Sequence, residues 1–388
     1  MTEQGWGEGA ELVGRVRRRL ATSAGQYDPA AIAAAVRVEA PTAGLATLLD
    51  VSDRLSAELA GAGVLAPLLA QPGVTDVLVN GPGPVWVDAG SGPRQTGLVI
   101  EDETAVRRLA VRLVAAAGRR LDDAAPYADA RLADGTRVHA VLPPLAPDGT
   151  CISLRVPPRQ VFTIDQLVAA GSVPDAGAEL LHGLIDRRLA FLVTGGTGCG
   201  KTTVLSSLLS LVAREERIVL VEDAAELRPD HPHVVRLESR PANAEGAGQV
   251  TLDVLVRQAL RMRPDRLVVG EVRGGEVLDL LAALNTGHEG GCSTVHANRA
   301  EHLPARIESL CGQAGVSRAA AHSLLAAAVD VVLHLTRGRD GRRRMAGLAV
   351  LVAGADGMAT VTPAYVFDAT GVRRGPAAAA LDERMSAR

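Results

Sequence analysis

Hydrophobic and polar positions divide the chain into stretches of different period. Residues 1–70 are alanine-rich and read as helical, with Pro41 as a break. Their basic start, Arg15, Arg17, Arg18 and Arg19, reads as a solvated helix face. Between 71 and 157 the apolar runs are short. VTDVLVN at 74–80 and PVWVD at 84–88 flank Gly81-Pro82-Gly83-Pro84, the pattern of two strands joined by a turn. Val106, Leu109, Ala110, Leu113 and Val114 keep helical spacing, which predicts a helix over about 102–118. DGTRVHAVLPP and GTCISLRVP supply two more strands, closing at Pro157-Pro158. Together these predict a small α/β domain with a largely antiparallel sheet over 71–157 and a linker at 158–165.

The remainder alternates differently. Apolar strands are predicted at 190–194, 217–222, 233–237, 266–271 and 291–297, and helices near 175–189, 201–213, 251–262 and 275–285. Apolar strands that alternate with helices indicate a parallel sheet covered on both faces. More helix is expected through 301–328, and then VVLHL and MAGLAVLV predict a hairpin across Arg339-Asp340-Gly341-Arg342. This second domain is expected to span 166–372, with 373–388 a flexible tail.

With 388 residues the chain has room for two or three domains, and its net charge is −3. That balance gives no global field to recruit nucleic acid, and 2% aromatic residues leave few platforms for stacked bases. No apolar run approaches the ~18 residues that cross a bilayer and the start lacks a secretory signal pattern, so a cytoplasmic protein is expected. Cys151, Cys199, Cys292 and Cys311 lack C-x-x-C spacing, which argues against a zinc site or a disulfide framework. Of the 41 lysines and arginines, 40 are arginine and Lys201 alone is lysine.

That lysine belongs to the most specific motif in the chain. Gly195, Gly196, Thr197, Gly198, Cys199, Gly200, Lys201, Thr202 and Thr203 lie directly between the apolar run 189–193 and a helical run that starts at 203. Strand, glycine-rich loop and helix are the required context of the phosphate-binding loop G-x-x-x-x-G-K-[ST]. Backbone N–H groups of such a loop converge on an anion in front of the helix's positive end. Lys201 adds a compact charge for the β- and γ-phosphates, and Thr202 offers a hydroxyl to Mg²⁺. Cys199 reads as a small loop residue rather than an oxidisable thiol.

In parallel sheets ligands lie at the carboxyl ends of the strands. Glu222, Asp223 and Glu226 close one strand there, and Glu271 closes another, where a carboxylate can orient or deprotonate the attacking water. Gly270-Glu271 stands where an acidic pair is common, so metal support is expected from Thr202 and, through water, from Glu222 or Glu226. His288 and His296 are divided by a strand, which does not match a helical two-histidine metal site and suits sensing of the γ-phosphate. Phosphoryl transfer also benefits from a cation that arrives from a neighbouring subunit or domain. Arg257 with Arg261, one helical turn apart, and Arg137 with Arg155 in the smaller domain are the candidates, with surface ion pairs as their other reading.

In this order GGTGCGKTT, IVLVEDAAEL, RMRPDRLVVGE and TGHEGGCSTVHAN resemble the Walker A, acidic, Walker B and histidine boxes of the type II and type IV secretion-system ATPases. VTDVLVNGPGPVWVD with DGTRVHAVLPPLAPDGTCISLRVP resembles the N-terminal domain of the tight-adherence (Flp) pilus branch, near the conjugal-transfer-associated ATPases. The four-cysteine zinc module of other branches is absent, and the resemblance covers about 70–370. It implies an α/β fold with a RecA-like P-loop NTPase core, a smaller N-terminal α/β domain and a helical N-terminal extension. It further implies ATP and Mg²⁺ as ligands, and a homohexamer that holds nucleotide between its two domains. The ring would work at the cytoplasmic face of the inner membrane, peripherally attached through a platform protein of a pilus or secretion system. Matched residue by residue, Lys201 and Thr202 hold phosphate and metal, and Glu222 and Glu226 are the acidic-box carboxylates. Glu271 is the catalytic glutamate, in a Gly-Glu pair that is the family's own pattern, and His288 and His296 are the histidine-box residues.

A nucleic-acid motor of the same core fold and an ATP-gated binding switch are the alternative readings. The acidic balance and the scarce aromatics weigh against direct nucleic-acid binding. Lys201→Arg, which removes the only lysine, is expected to abolish ATP binding in a fluorescence titration, because a planar guanidinium replaces a compact ammonium poorly. Unchanged affinity would refute the need for a point charge.

Overall fold

The computed structural model describes residues 16, 19, 29–40, 62–157, 161–240, 242, 247–287, 289–338, 340–368 and 371–386. Most of the alanine-rich head, Arg15, Arg17, Arg18 and His288 lie outside the described residues. The chain divides into two compact units, 1–158 and 159–388.

In the first unit, helix α1 (Pro29–Glu39) ends on an exposed ion pair between Glu39 and Arg19. Then come β1 (Asp76–Asn80), β2 (Gly83–Asp88), β3 (Arg94–Ile100), α2 (Glu103–Ala116), β4 (Tyr127–Arg131), β5 (Arg137–Val141) and β6 (Cys151–Arg155). The strands form one sheet in the order β3-β2-β1-β6-β5-β4, with every neighbouring pair antiparallel. Alternate residues Val77, Val79, Val138, Ala140, Ile152 and Leu154 turn to one face and share a core with Val106, Leu109 and Leu113 of α2. Asp102 starts α2 by accepting the Ala105 N–H at 2.7 Å. Strands β3 and β4 had no clear pattern because they leave most of their residues partly or fully exposed.

The second unit opens with α3 (Ile164–Ala169), whose first turn is closed by reciprocal hydrogen bonds between Thr163 and Gln166, so the expected linker ends inside a helix. After it come α4 (Asp175–Asp186), β7 (Phe191–Gly195), α5 (Lys201–Leu209), β8 (Ile218–Glu222), β9 (Val234–Glu238), α6 (Leu252–Ala259) and β10 (Arg266–Val272). They are followed by α7 (Glu276–Asn285), β11 (Cys292–His296), α8 (Leu303–Gln313), α9 (Arg318–Ala328) and β12 (Val331–Arg337). The chain closes with β13 (Arg343–Ala353), β14 (Ala359–Asp368), β15 (Gly371–Arg374) and α10 (Ala378–Ser386). Their strand order is β15-β14-β13-β12-β7-β11-β10-β8-β9, parallel from β12 to β9 and antiparallel beyond β12.

Strands β7 and β8 are buried along their whole length, as central parallel strands must be. Leu192, Val219, Val221 and Val269 face a core built with α6 to α9, and Phe191, Val193, Ile218 and Leu220 face another built with α3, α4, α5 and α10. The helix expected through 301–328 is two helices, broken where Gly315 takes a φ of +79° and Ser317 caps the second by accepting the Ala320 N–H.

Within the expected flexible tail at 373–388 lie the end of β15 and the helix α10, and residues 387 and 388 fall outside the described residues. Leu381 is fully buried, and Arg384 Nη1 donates to the Asp330 carbonyl at 2.7 Å. Tyr365 Oη also donates to Asp382 at 2.6 Å. Those contacts supply the burial that a short alanine-rich run lacks by itself. Leu381→Ala is therefore expected to cost ~3 kcal/mol of stability, read from a denaturant titration. A change within experimental scatter would contradict the docking.

Candidate nucleotide site

Strand β7 lies between β12 and β11, so its carboxyl end opens at the middle of the sheet. The registers place Leu335 on one side of Gly195 and His296 on the other. Gly195 has a φ of +151°, and a Cβ there would lie 2.5 Å from both Cys199 Sγ and the Leu335 carbonyl oxygen, so only glycine lets the loop close against β12. Arg343 Nε holds the loop tip from outside, donating to the Gly198 carbonyl at 2.9 Å. Lys201 opens α5 with only 7% of its surface exposed. Its Nζ donates to the carbonyls of Gly195 and Gly196 at 3.0 Å each, and burial lowers its pKa. Burial likewise pushes the Cys199 thiol up, which keeps it from being a reactive thiolate.

Two strands away in the sheet, Glu271 stands near the carboxyl end of β10. One oxygen, Oε1, lies 2.8 Å from His296 Nε2, and the other, Oε2, accepts from Arg273 Nη2 at 2.6 Å. Burial first, then Lys201, depresses the His296 pKa, which favours the neutral ring. Lys201 Nζ also approaches the same nitrogen at 3.5 Å, a long hydrogen bond in which Nε2 accepts. Behind the pair, Glu276 Oε1 accepts the N–H groups of Arg273 at 2.6 Å and Gly274 at 2.8 Å. Sequence reasoning missed Arg273 and Glu276, although an acid three residues on at a helix start is a recognisable capping signal. It also missed His334 on β12, whose Nδ1 lies 2.9 Å from Thr194 Oγ1 at the root of the loop.

Glu222 departs from its expected role. It is 4% exposed, and its Oε1 accepts the N–H groups of Glu226 and Leu227 at 3.0 Å each. A Cβ on Gly270 would lie 2.7 Å from Glu222 Cγ, so the side chain is folded under the neighbouring strand. Burial pushes its pKa up to about 7, and Oε2 is buried with no hydrogen-bond partner. A half-protonated carboxyl committed to a turn is a poor Mg²⁺ ligand. Among the described residues no three histidines, cysteines or carboxylates cluster to hold a metal. Mg²⁺ still fits, because it takes one or two protein ligands beside phosphate oxygens and waters. The partly exposed Thr202 in the first turn of α5 can supply one, and Glu226, half-buried, is not folded away as Glu222 is.

The arginine pairs separate. Arg257 pairs with Asp253 at 2.7 Å and Asp279 at 3.1 Å, tying α6 to α7, so it is committed to helix packing rather than to the site. Asp253, four residues earlier, is the signal that could have shown this. Arg261 is exposed in the short turn 260–262 after α6. Arg137 and Arg155 stand directly opposite each other on β5 and β6 of the first unit, and Asp76 flanks Arg155 on β1.

The order of these elements has known counterparts. Residues 58–363 match the type II/IV secretion system protein family. The chain belongs to that family. It is 59% identical over 303 residues to a putative conjugal transfer protein of Mycobacterium tuberculosis, covering 76% of this chain and 86% of that one. It is 32% identical over 312 residues to the type IV secretion system protein PtlH of Bordetella pertussis, covering 72% and 91%. The fold is also similar to that of the ATPase DotB from Yersinia pseudotuberculosis, with a TM-score of 0.53 at 18% identity over 73% of this chain and 76% of that one. In this type II/IV secretion system protein, Gly195, Glu222, Glu271 and His296 of the four boxes lie at or next to the carboxyl ends of β7, β8, β10 and β11. Among the described residues, no helix is long and apolar enough to cross a membrane.

The Glu222 carboxyl binds its proton more tightly folded than unfolded, so its contribution to stability is full below pH 4.5 and is lost as pH rises toward about 7. Glu222→Gln keeps the acceptor oxygen and removes the buried charge. Thermal melts should show the variant gaining more over the parent at pH 8 than at pH 5, by at most ~3 kcal/mol. Equal gains at both pH values would refute the buried-acid account.

Proposed function

We propose that this secretion-family protein is an Mg²⁺-dependent ATPase that powers a conjugal-transfer or tight-adherence pilus machine. The observation that carries the reading is the approach of Glu271 and Lys201 to one imidazole, His296, at 2.8 and 3.5 Å beside the phosphate loop. ATP placed on the loop draws Lys201 Nζ from the two carbonyls to the β- and γ-phosphates. Glu271 accepts a proton from the water that attacks the γ-phosphorus, and ADP and phosphate result. His296 keeps that carboxylate oriented while adding no charge of its own. Thr202 would hold Mg²⁺, which when bound would supply positive charge to the phosphate oxygens.

The finer features follow from the same reading. The protein acts as a homohexamer against a polytopic platform protein at the inner face of the cytoplasmic membrane. Arg137 and Arg155 of the first unit supply cations to the nucleotide, and His288 joins His296 in reporting the γ-phosphate. The relatives named for conjugal transfer and type IV secretion support this branch.

Glu271→Gln should lower steady-state phosphate release by ~10²–10³-fold with ATP affinity retained. Lys201→Ala should lose ATP binding itself. Wild-type protein that shows no hydrolysis with or without lipid and platform protein would end the enzymatic reading. A Glu271→Gln variant as fast as the parent would move the catalytic base elsewhere.

A further inference from the structure

Arg273 follows Glu271 by two residues and carries a guanidinium that the reading above leaves unused. Its Nη2 is bonded to Glu271 Oε2 at 2.6 Å while His296 takes Oε1, so both oxygens of the carboxylate are engaged. A base in that state meets a water proton only on the one lone pair each oxygen has left. The backbone of Arg273 is fixed in place, because Glu276, itself 8% exposed, accepts its N–H and that of Gly274. The side chain beyond that anchor is 57% exposed and can change partner. Its charge reaches the whole site: Asp223 and Glu226 act on it together with Glu271, and it acts in turn on Lys201 and His296. It therefore stands among the groups that close β7, β8, β10 and β11.

A γ-phosphate set before Lys201 brings more negative charge than one carboxylate and offers the planar oxygens that a guanidinium fork matches. We propose that Arg273 is a catalytic arginine supplied in cis. On ATP binding its guanidinium passes from Glu271 Oε2 to the γ-phosphate, which stabilises the charge of the departing phosphoryl group and frees Glu271 to accept the water proton. This rests on the ATPase reading.

The test compares full-length wild type, Arg273→Gln and Arg273→Lys by phosphate release and by titration with fluorescent ATP and ADP analogues. Arg273→Gln is expected to lower kcat by ~10²–10³-fold, with KM and ADP affinity within ~3-fold of wild type. Arg273→Lys should retain more kcat than Arg273→Gln, since it keeps the charge without the fork. Three results would overturn the proposal while leaving the ATPase reading intact: an unchanged kcat in Arg273→Gln, ADP affinity lost in step with the rate, or a lysine variant no faster than the glutamine one. A wild type without turnover would instead remove the ATPase reading, and the proposal with it.

Discussion

Lys201 is a buried cation whose shortest hydrogen bonds end on two neutral carbonyl oxygens of its own loop. Removing an ammonium from water costs more than neutral acceptors return, and the lowered pKa of the group reflects it. The folded chain thus holds a positive charge that is best satisfied by an incoming polyphosphate. The surrounding architecture keeps that charge in place. Gly195 is wedged between Cys199 and Leu335, Arg343 grips the loop at Gly198, and β7 is flanked by parallel strands on both sides. Donors held in position before the ligand arrives need little reorganisation when it does.

Around this point the second unit divides its charges into two sets. One set is committed to packing. Arg257 links two helices through Asp253 and Asp279, and Arg266, 1% exposed, is bound to Glu216 at 2.6 Å and to the Ile185 carbonyl at 2.9 Å. The other set, Lys201, His296, Glu271 and Arg273, forms a chain of contacts at the carboxyl ends of the strands, where an anion can enter it. Glu222 belongs to neither in the expected way. Its carboxyl shapes the turn that carries Glu226, and Gly270 gives it the space to do so.

Much of this was legible because the relevant constraint is written in backbone-specific residues. A glycine-rich loop between an apolar strand and a helix has few other uses, and Glu271 at a strand end beside it has few other roles. What stayed hidden depended on side-chain direction. Nothing in EDAAEL tells that Glu222 turns inward while Glu226 stays at the rim. The pairing of Arg273 with Glu271 starts within the irregularity between Val269 and Val272, where simple alternation of faces fails. The closing helix was read as frayed because AAALDERM offers few apolar anchors, and its docking depends on Leu381 and on Asp330, far away in sequence.

That docking reaches further than its own end of the chain. Asp330 receives Arg384 on its main-chain carbonyl and takes the Ala190 amide on its carboxylate at 2.9 Å, one residue before β7 begins. Helix α10 is thereby tied to the root of the phosphate-loop strand. Affinity tags, fluorophores and fusion partners placed directly after residue 386 would pull on the foundation of the nucleotide site, so handles for purification or imaging need a generous spacer there.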